Sequence, residues 1–154
     1  MLATDLDCSE TFANGLNSTA SNVVFHLAGH TLSSTDCDLS KDISGIFVPG
    51  NVIGFKIDGG TVTSFNDRIV LSSSKSRVTG MTVTKACLFS IALQDADNQL
   101  DMNVVTLGVD GIGIGPGDHN RILSNDVSNH VRIGVEISNS SDNNQVKNDI
   151  INNN

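Results

Sequence analysis

Residues 98–114, Asn-Gln-Leu-Asp-Met-Asn-Val-Val-Thr-Leu-Gly-Val-Asp-Gly-Ile-Gly-Ile, decide the fold. They contain two apolar pairs, Leu100 with Val105 and Ile112 with Ile114. The second pair has the i, i+2 spacing that places both side chains on one face of a β-strand. Because the same two pairs return in the same order along most of the chain, this stretch is one unit of a repeat.

The two pairs recur with a nearly constant period. Successive copies of the first pair lie 30, 21, 22, 22 and 24 residues apart, and copies of the second pair lie 23, 22, 21 and 23 residues apart. The first pair occurs as Leu27/Leu32, Ile57/Val62, Val78/Val83, Leu100/Val105, Ile122/Val127 and Val146/Ile151. The second occurs as Ile46/Val48, Ile69/Leu71, Ile91/Leu93, Ile112/Ile114 and Val135/Ile137. Four apolar columns that stay in phase in this way are typical of a solenoid.

One coil of two or three short strands cannot bury its apolar face alone, so the coils must stack. Parallel pairing of equivalent strands, about 4.8 Å apart, makes the apolar positions continuous interior ladders. The sequence therefore predicts an all-β fold, a single-stranded right-handed parallel β-helix of about six coils, since crossovers between parallel strands are right-handed. We expect one domain over residues 1–154, with an N-terminal cap at 1–21 and solenoid coils at 22–154.

Corner residues occur in phase with the columns. Asn residues lie two positions before the first column in three successive coils, at Asn98, Asn120 and Asn144. We expect them to adopt the left-handed bend of a tight corner and to stack through side-chain hydrogen bonds. A second glycine corner is predicted two positions after that column, at Gly29, Gly59 and Gly80. The polar segment 33–42 lengthens the first coil and is predicted to be a surface loop.

Composition restricts the partners. The chain has 154 residues, of which 38% are hydrophobic, and a formal net charge of −8. No basic stripe is present that could neutralise a phosphate backbone, so we expect no nucleic-acid partner and no binding to anionic membranes. No apolar run is long enough for a transmembrane helix. The start, Met1 to Asp5, has no visible signal peptide.

The three cysteines, Cys8, Cys37 and Cys87, are too few for a disulfide scaffold and lack the spacing of a metal motif. Cys8 lies in the predicted cap and Cys37 in the loop of the first coil. We hypothesise a Cys8–Cys37 bridge if the protein is exported, with Cys87 left as a thiol.

Several segments carry a family resemblance. Residues 2–8 and 22–32 resemble the opening of pectin-lyase-like right-handed β-helix proteins, as do residues 45–46, 58–62 and 120–122 further along. The resemblance implies the fold, and it implies an extracellular or periplasmic location. That superfamily includes polysaccharide lyases, hydrolases, epimerases and adhesins, so the resemblance makes a polysaccharide the leading ligand class and assigns no single activity.

Catalysis on such a scaffold needs a base and a cation on adjacent coils of one face. One outward column reads Phe47, Val70, Ala92, Gly113, Glu136, and it is nearly apolar. Another reads Ala28, Asp58, Thr79, Asp101, Leu123, Lys147, with no column of Lys or Arg expected beside it. We therefore predict no catalytic residue, no metal ligand and no cofactor, and we leave the ligand-binding residues unassigned. A lyase or epimerase would instead show an acid–base cluster on adjacent coils.

Other polar groups give weaker signals. Asp95, Asp97 and Asp101 have the alternation of a calcium loop but lack its glycine and terminal Glu, so a solvated turn is favoured. The run 118–121 combines an acid, an imidazole and a cation after a Gly-Pro-Gly turn, and a polar turn explains it equally well. His26 and His30 are expected at the surface or in the cap.

Hydroxyl residues flank the second apolar column, as Thr31-Leu32-Ser33, Thr61-Val62-Thr63 and Thr82-Val83-Thr84. On stacked strands they would form a flat lattice with spacings of about 6.7 Å and 4.8 Å. This lattice resembles the faces of solenoid ice-binding proteins, although Thr also suits any exposed strand.

We therefore predict a binding or structural module, with a polysaccharide as its expected ligand. The alternatives are a polysaccharide lyase or epimerase, or a fragment of one, and an ice-binding solenoid. The last coil ends at Ile150 and Ile151 with three asparagines after them, and its uncovered strand edge favours a homodimer through that end.

Overall fold

The computed structural model describes residues 1–9, 13–35, 43–138 and 140–154. Within them the chain forms parallel strands and no helix, which confirms an all-β solenoid of about six coils. The strands are β1 (Leu6–Asp7), β2 (Leu16–Asn17), β3 (Val24–His26), β4 (Thr31–Ser33), β5 (Ser44–Val48), β6 (Lys56–Thr63), β7 (Asp67–Leu71), β8 (Arg77–Thr84), β9 (Phe89–Leu93), β10 (Gln99–Asp101), β11 (Val104–Thr106), β12 (Asp110–Ile114), β13 (Arg121–Leu123), β14 (Asp126–Ser128), β15 (Ile133–Ile137), β16 (Gln145–Lys147) and β17 (Ile150–Asn152). None of the described residues belongs to a helix that could cross a membrane.

Each coil contributes strands to three faces. Face A is the outer side of one sheet, made of β2, β5, β7, β9, β12 and β15. Face B is formed by β3, the first halves of β6 and β8, and β10, β13 and β16. Face C is formed by β1, β4, the second halves of β6 and β8, and β11, β14 and β17.

The apolar columns form the core as predicted. Ile46, Ile69, Ile91 and Ile112 stand in register on successive coils and have no exposed surface. Leu32, Val62, Val83, Val105 and Val127 form an equally buried column behind face C. Since each such side chain contributes about 1.5–3 kcal/mol on burial, these columns are the main source of stability.

The first coil departs from the predicted register. Phe25, and not Leu27, pairs with Ile57, so the assignment of Leu27 to the first apolar column is wrong. The corner that follows holds two left-handed residues, Ala28 (φ 56°) and Gly29 (φ 83°), and therefore contains two more residues than later corners. Leu27 is nevertheless buried, because it packs inside this corner against the backbone of Gly60.

Residues of the predicted cap extend the sheets. Leu6 pairs with Leu32 through β1, and Leu16 pairs with Ile46 through β2. The segment thus covers the N-terminal strand edges by adding parallel strands to them. Residues 10–12, 36–42 and 139 lie outside the described part of the chain, and most of the predicted loop at 33–42 lies there too.

Asn side chains connect the coils at two corners. The Oδ1 atom of Asn98 accepts a hydrogen bond from Ser76 N (2.8 Å), and Asn120 Oδ1 accepts one from Asn98 N (2.8 Å). Asn144 Oδ1 completes this ladder by accepting from Asn120 N at 2.7 Å. A second ladder, which the sequence analysis missed, links Met81, Asn103, Asn125 and Asp149 in the same way. The predicted axial stacking of Asn is therefore confirmed.

The left-handed residue at these corners is not the Asn itself. It is the residue just before it, as in Asp97 (φ 61°) and His119 (φ 58°), so that part of the prediction is wrong. This geometry turns the Asn side chain inward, where its Oδ1 accepts a hydrogen bond from the backbone of the preceding coil. The glycine corner is confirmed, since Gly29, Gly59 and Gly80 all have positive φ.

The cysteines differ from the hypothesis. Cys87 is disulfide-bonded, so the expectation that it remains a thiol is wrong. Cys8 is a buried thiol, and burial raises its pKa. Cys37 lies outside the described residues.

The last coil exposes apolar side chains along its edge, with Ile150 at 59% and Ile151 at 48% of their full accessibility. Asn154 lies back over part of this end, where its Oδ1 accepts from His130 N (3.1 Å) and its Nδ2 donates to Val127 O (3.3 Å). The homodimer through this end stays a prediction.

Replacing Ile91 by Asp tests the column assignment. A carboxylate at this fully buried site has no partner, so Ile91→Asp should lower the free energy of unfolding by about 3 kcal/mol or more. Thr84→Asp, which points outward on face C, should cost less than about 1 kcal/mol. Urea denaturation compares the two variants, and equally mild effects would show that Ile91 is not in the core.

Candidate functional site

The corrected register of the first coil places an imidazole beside a carboxylate on face B. His26 lies directly opposite Asp58 on the neighbouring strand, and its Nδ1 is 2.7 Å from Oδ1 and 2.9 Å from Oδ2 of Asp58. Both side chains remain about half exposed, at 49% and 45%. The pair holds the imidazole in a fixed orientation at the surface.

A basic column lies next to this pair. Lys56 of β6 pairs with Arg77 of β8, and two coils further Arg121 of β13 occupies the same position. These side chains are exposed and lie two residues before the Asp58–Asp101 column, hence on the same side of the sheet. The expectation that no Lys or Arg column accompanies the acids is therefore wrong. Misplacing the first coil also put Ala28 where His26 stands.

Face B is more basic than the chain as a whole. Of the eight Lys and Arg among the described residues, four lie on it, namely Lys56, Arg77, Arg121 and Lys147. They face two carboxylates, Asp58 and Asp101. Arg77 Nη2 is 2.6 Å from Asp101 Oδ2, whereas no ion pair of Lys56 or Arg121 is found among the described residues.

The charged groups of face B surround a shallow depression. It is lined by Val24, Lys56, Ile57, Asp58, Arg77 and Thr79. The depression thus combines two cations, one carboxylate and one hydroxyl on two adjacent coils. Such a set can bind a carboxylate-bearing ligand through Lys56 and Arg77 and accept hydrogen bonds from its hydroxyls through Asp58.

Face C carries the predicted hydroxyl lattice. Thr31, Thr61 and Thr82 stand in register on three coils, as do Ser33, Thr63, Thr84 and Thr106 in the neighbouring column. Among the described residues, these hydroxyl groups make one hydrogen bond, between Thr63 Oγ1 and Ser64 Oγ (3.2 Å). The first column changes to Val104 and then to Asp126, whereas the second column continues to Ser128.

Face A is nearly apolar, as predicted. Its outward column runs Phe47, Val70, Ala92, Gly113, Glu136 in register. A cavity of about 210 Å³ lies over the later coils, lined by Phe89, Ala92, Leu93, Gln94, Gly113, Ile114, Gly115, Glu136 and Ser138.

The remaining sequence candidates are dispersed. Asp101 is paired with Arg77, and Asp95 Oδ1 accepts from Ala96 N (2.7 Å), so the Asp95–Asp101 run makes no calcium loop. In the 118–121 run, Asn120 is buried in its ladder while Arg121 lies on face B. Within the described ranges, no group of three or more His, Cys, Asp or Glu is placed to hold a metal ion.

Two buried ionisable groups were missed by sequence reasoning. Arg68 is fully buried, its Nε donates to Thr84 O (3.2 Å), and its two terminal nitrogens find no hydrogen-bond partner among the described residues. Burial lowers the pKa of Arg68 to about 9. His130 is also buried, with Nε2 3.0 Å from Val105 O, and burial lowers its pKa. Arg68 lies within β7 and His130 lies at the corner after β14, and neither occupies an apolar column, so apolar periodicity gives no signal for them.

His130 predicts a pH dependence of stability. Because its pKa is lower in the folded than in the unfolded chain, protonation favours unfolding. The contribution of neutral His130 to the free energy of unfolding is fully present above about pH 6.5, the pKa of histidine in the unfolded chain, and it is lost as the pH falls below that value. Between pH 7.5 and 5, the wild type should lose more free energy of unfolding than His130→Gln, as measured by urea denaturation. His119→Gln, an exposed control, should behave as wild type, and a wild-type pH slope in His130→Gln would contradict the assignment.

Comparison with known proteins gives one match. A family model described as periplasmic copper-binding protein (NosD) matches residues 8–154. No curated protein matches, and no solved structure matches.

Proposed function

Because this chain belongs to the NosD family, whose fold is the parallel β-helix observed here, we propose that it is a rigid binding module that recognises acidic polysaccharide on face B. The single observation that carries the proposal is the aligned column of Lys56, Arg77 and Arg121 beside the His26–Asp58 pair. The superfamily resemblance supports a polysaccharide as the ligand class.

Charge supports an anionic ligand. On a chain with a net charge of −8, face B gathers four cations against two carboxylates. Grouping cations costs like-charge repulsion, and an extended polyanion would relieve it. Asp58 and Asp101 orient His26 and Arg77 and can also accept hydrogen bonds from sugar hydroxyls.

Spacing supports an extended ligand. Lys56 and Arg77 stand on neighbouring coils, about 4.8 Å apart, and Arg121 stands two coils beyond Arg77. The strands hold this spacing through backbone hydrogen bonds, so little ordering is needed when the ligand binds. A chain of uronate residues laid along the solenoid axis would meet Lys56 and Arg77 on adjacent coils and Arg121 two coils further on, past Gln99.

Copper, which the family description names, fits the described residues poorly. Their best donor sets are the His26–Asp58 pair and the His30–Asp5 pair, the latter with 3.2 Å between His30 Nδ1 and Asp5 Oδ1. Each offers two side-chain donors, fewer than a copper centre in a protein normally uses.

Polygalacturonate binding tests the proposal. The double variant Lys56→Gln/Arg121→Gln removes two exposed charges of face B and should weaken binding about tenfold in calorimetry at low ionic strength, with affinity falling as salt is added. The control Lys75→Gln/Lys85→Gln removes the same amount of charge at two corner residues, which have φ values of 56° and 62°. This control should bind polygalacturonate as wild type does. The absence of polygalacturonate binding, or equal losses in both variants, would overturn the proposal.

A second candidate, ice binding through face C, is favoured by the register of its hydroxyls. If face C binds ice, wild-type protein should inhibit ice recrystallisation. Thr82→Lys, within the hydroxyl lattice, should abolish this inhibition without changing the temperature at which the protein unfolds. Wild-type protein without such inhibition would remove this candidate.

A further inference from the structure

The outward column of face A becomes smaller from coil to coil. Phe47, Val70, Ala92 and Gly113 occupy the same position on four successive strands. Gly113 places no side chain on the outer side of β12 at this position, and it belongs to the lining of the cavity of about 210 Å³. Most of that lining is apolar, and its apolar members are Phe89, Ala92, Leu93, Gly113 and Ile114.

Phe89 forms a wall of this cavity. A Cβ atom built on Gly113 would lie 2.8 Å from Cε1 and 2.9 Å from Cδ1 of Phe89, so the ring leans over the glycine. The φ of Gly113 is not in the left-handed region, so the backbone does not require glycine here. What glycine provides at this position is room for the aromatic ring.

Two polar groups with opposite hydrogen-bonding character stand at the rim. Gln94 accepts a hydrogen bond from Ser72 Oγ at Oε1 (2.7 Å), which leaves its amide nitrogen as a donor. Glu136, on β15 two coils further on, supplies carboxylate acceptors. The neighbouring cation Arg132 is bonded to the buried Asp110, with Nε at 2.9 Å from Oδ1.

We propose that this cavity binds one neutral pyranose ring. The apolar C–H face of a sugar would pack on Ala92 and against Phe89, while its hydroxyls would donate to Glu136 and accept from Gln94. The carboxylate of Glu136 opposes an anionic ligand, and a bare hydrocarbon would leave that carboxylate unsatisfied. The site is on face A, so it is separate from the polyanion surface of face B and goes beyond the proposed function.

Saturation-transfer NMR with uncharged methyl hexosides (glucoside, galactoside and mannoside) tests the site. Wild-type protein should give transfer to at least one of them, and Gly113→Ala should abolish it, since the added Cβ displaces Phe89 into the cavity. Glu136→Gln should weaken binding about tenfold by removing a charged acceptor. The matched control Asp126→Asn, on face C, should bind as wild type.

If Gly113→Ala does not fold, Phe89→Leu provides a second test, because it keeps an apolar side chain but removes the ring. It should likewise abolish the transfer to the hexosides. The double variant Lys56→Gln/Arg121→Gln should leave hexoside binding unchanged, which separates this site from the proposed function. The inference would be overturned if wild-type protein gave no transfer to any of the three hexosides. It would also be overturned if transfer persisted both in Glu136→Gln and in Gly113→Ala, or in Phe89→Leu where Gly113→Ala does not fold.

Discussion

The structure depends on the register of parallel backbone hydrogen bonds between successive coils. Once Ile69 is fixed over Ile46, every side chain on that coil stands over its equivalent, both inside and outside. The inside requires apolar residues that stack at about 4.8 Å, which β-branched side chains do well. The outside inherits the same alignment, and so isolated charges in the sequence become columns on a surface.

The corners maintain this register where strands end. Buried backbone amides there have no strand partner, and Asn side chains supply one from the next coil, as Asn125 Oδ1 does for Asn103 N (2.9 Å). In the earlier coils, two positions equivalent to these ladders are apolar, Phe55 and Met81, and both are almost completely buried. The interior at these corners thus changes from apolar side chains near the N-terminus to hydrogen-bonded ladders near the C-terminus. Asp149 ends one ladder by accepting both the backbone and the side-chain amide of Asn125.

Much of the fold could be predicted because periodic columns and corner residues are local signals. The first coil could not, since Phe25 and Leu27 are both apolar and have the same parity along a strand, so pattern alone cannot choose between them. The register is set by two residues with left-handed backbone conformation, Ala28 and Gly29, and that conformation is known only from the structure. That small error concealed His26 beside Asp58. The cavity on face A was hidden for another reason, because it depends on the direction of the Phe89 ring.

The site on face B includes the imidazole–carboxylate pair of His26 and Asp58 beside the cation column, and cross-linking tests the register that makes this pair most directly. Residues directly opposite on adjacent strands have a Cα separation suited to a disulfide, whereas a two-residue offset exceeds it. The double variant His26→Cys/Asp58→Cys should form a 26–58 disulfide on mild oxidation, identified by peptide mapping, and Ala28→Cys/Asp58→Cys should not. A 28–58 disulfide without a 26–58 one would contradict the register of the first coil and remove the His26–Asp58 pair from the site.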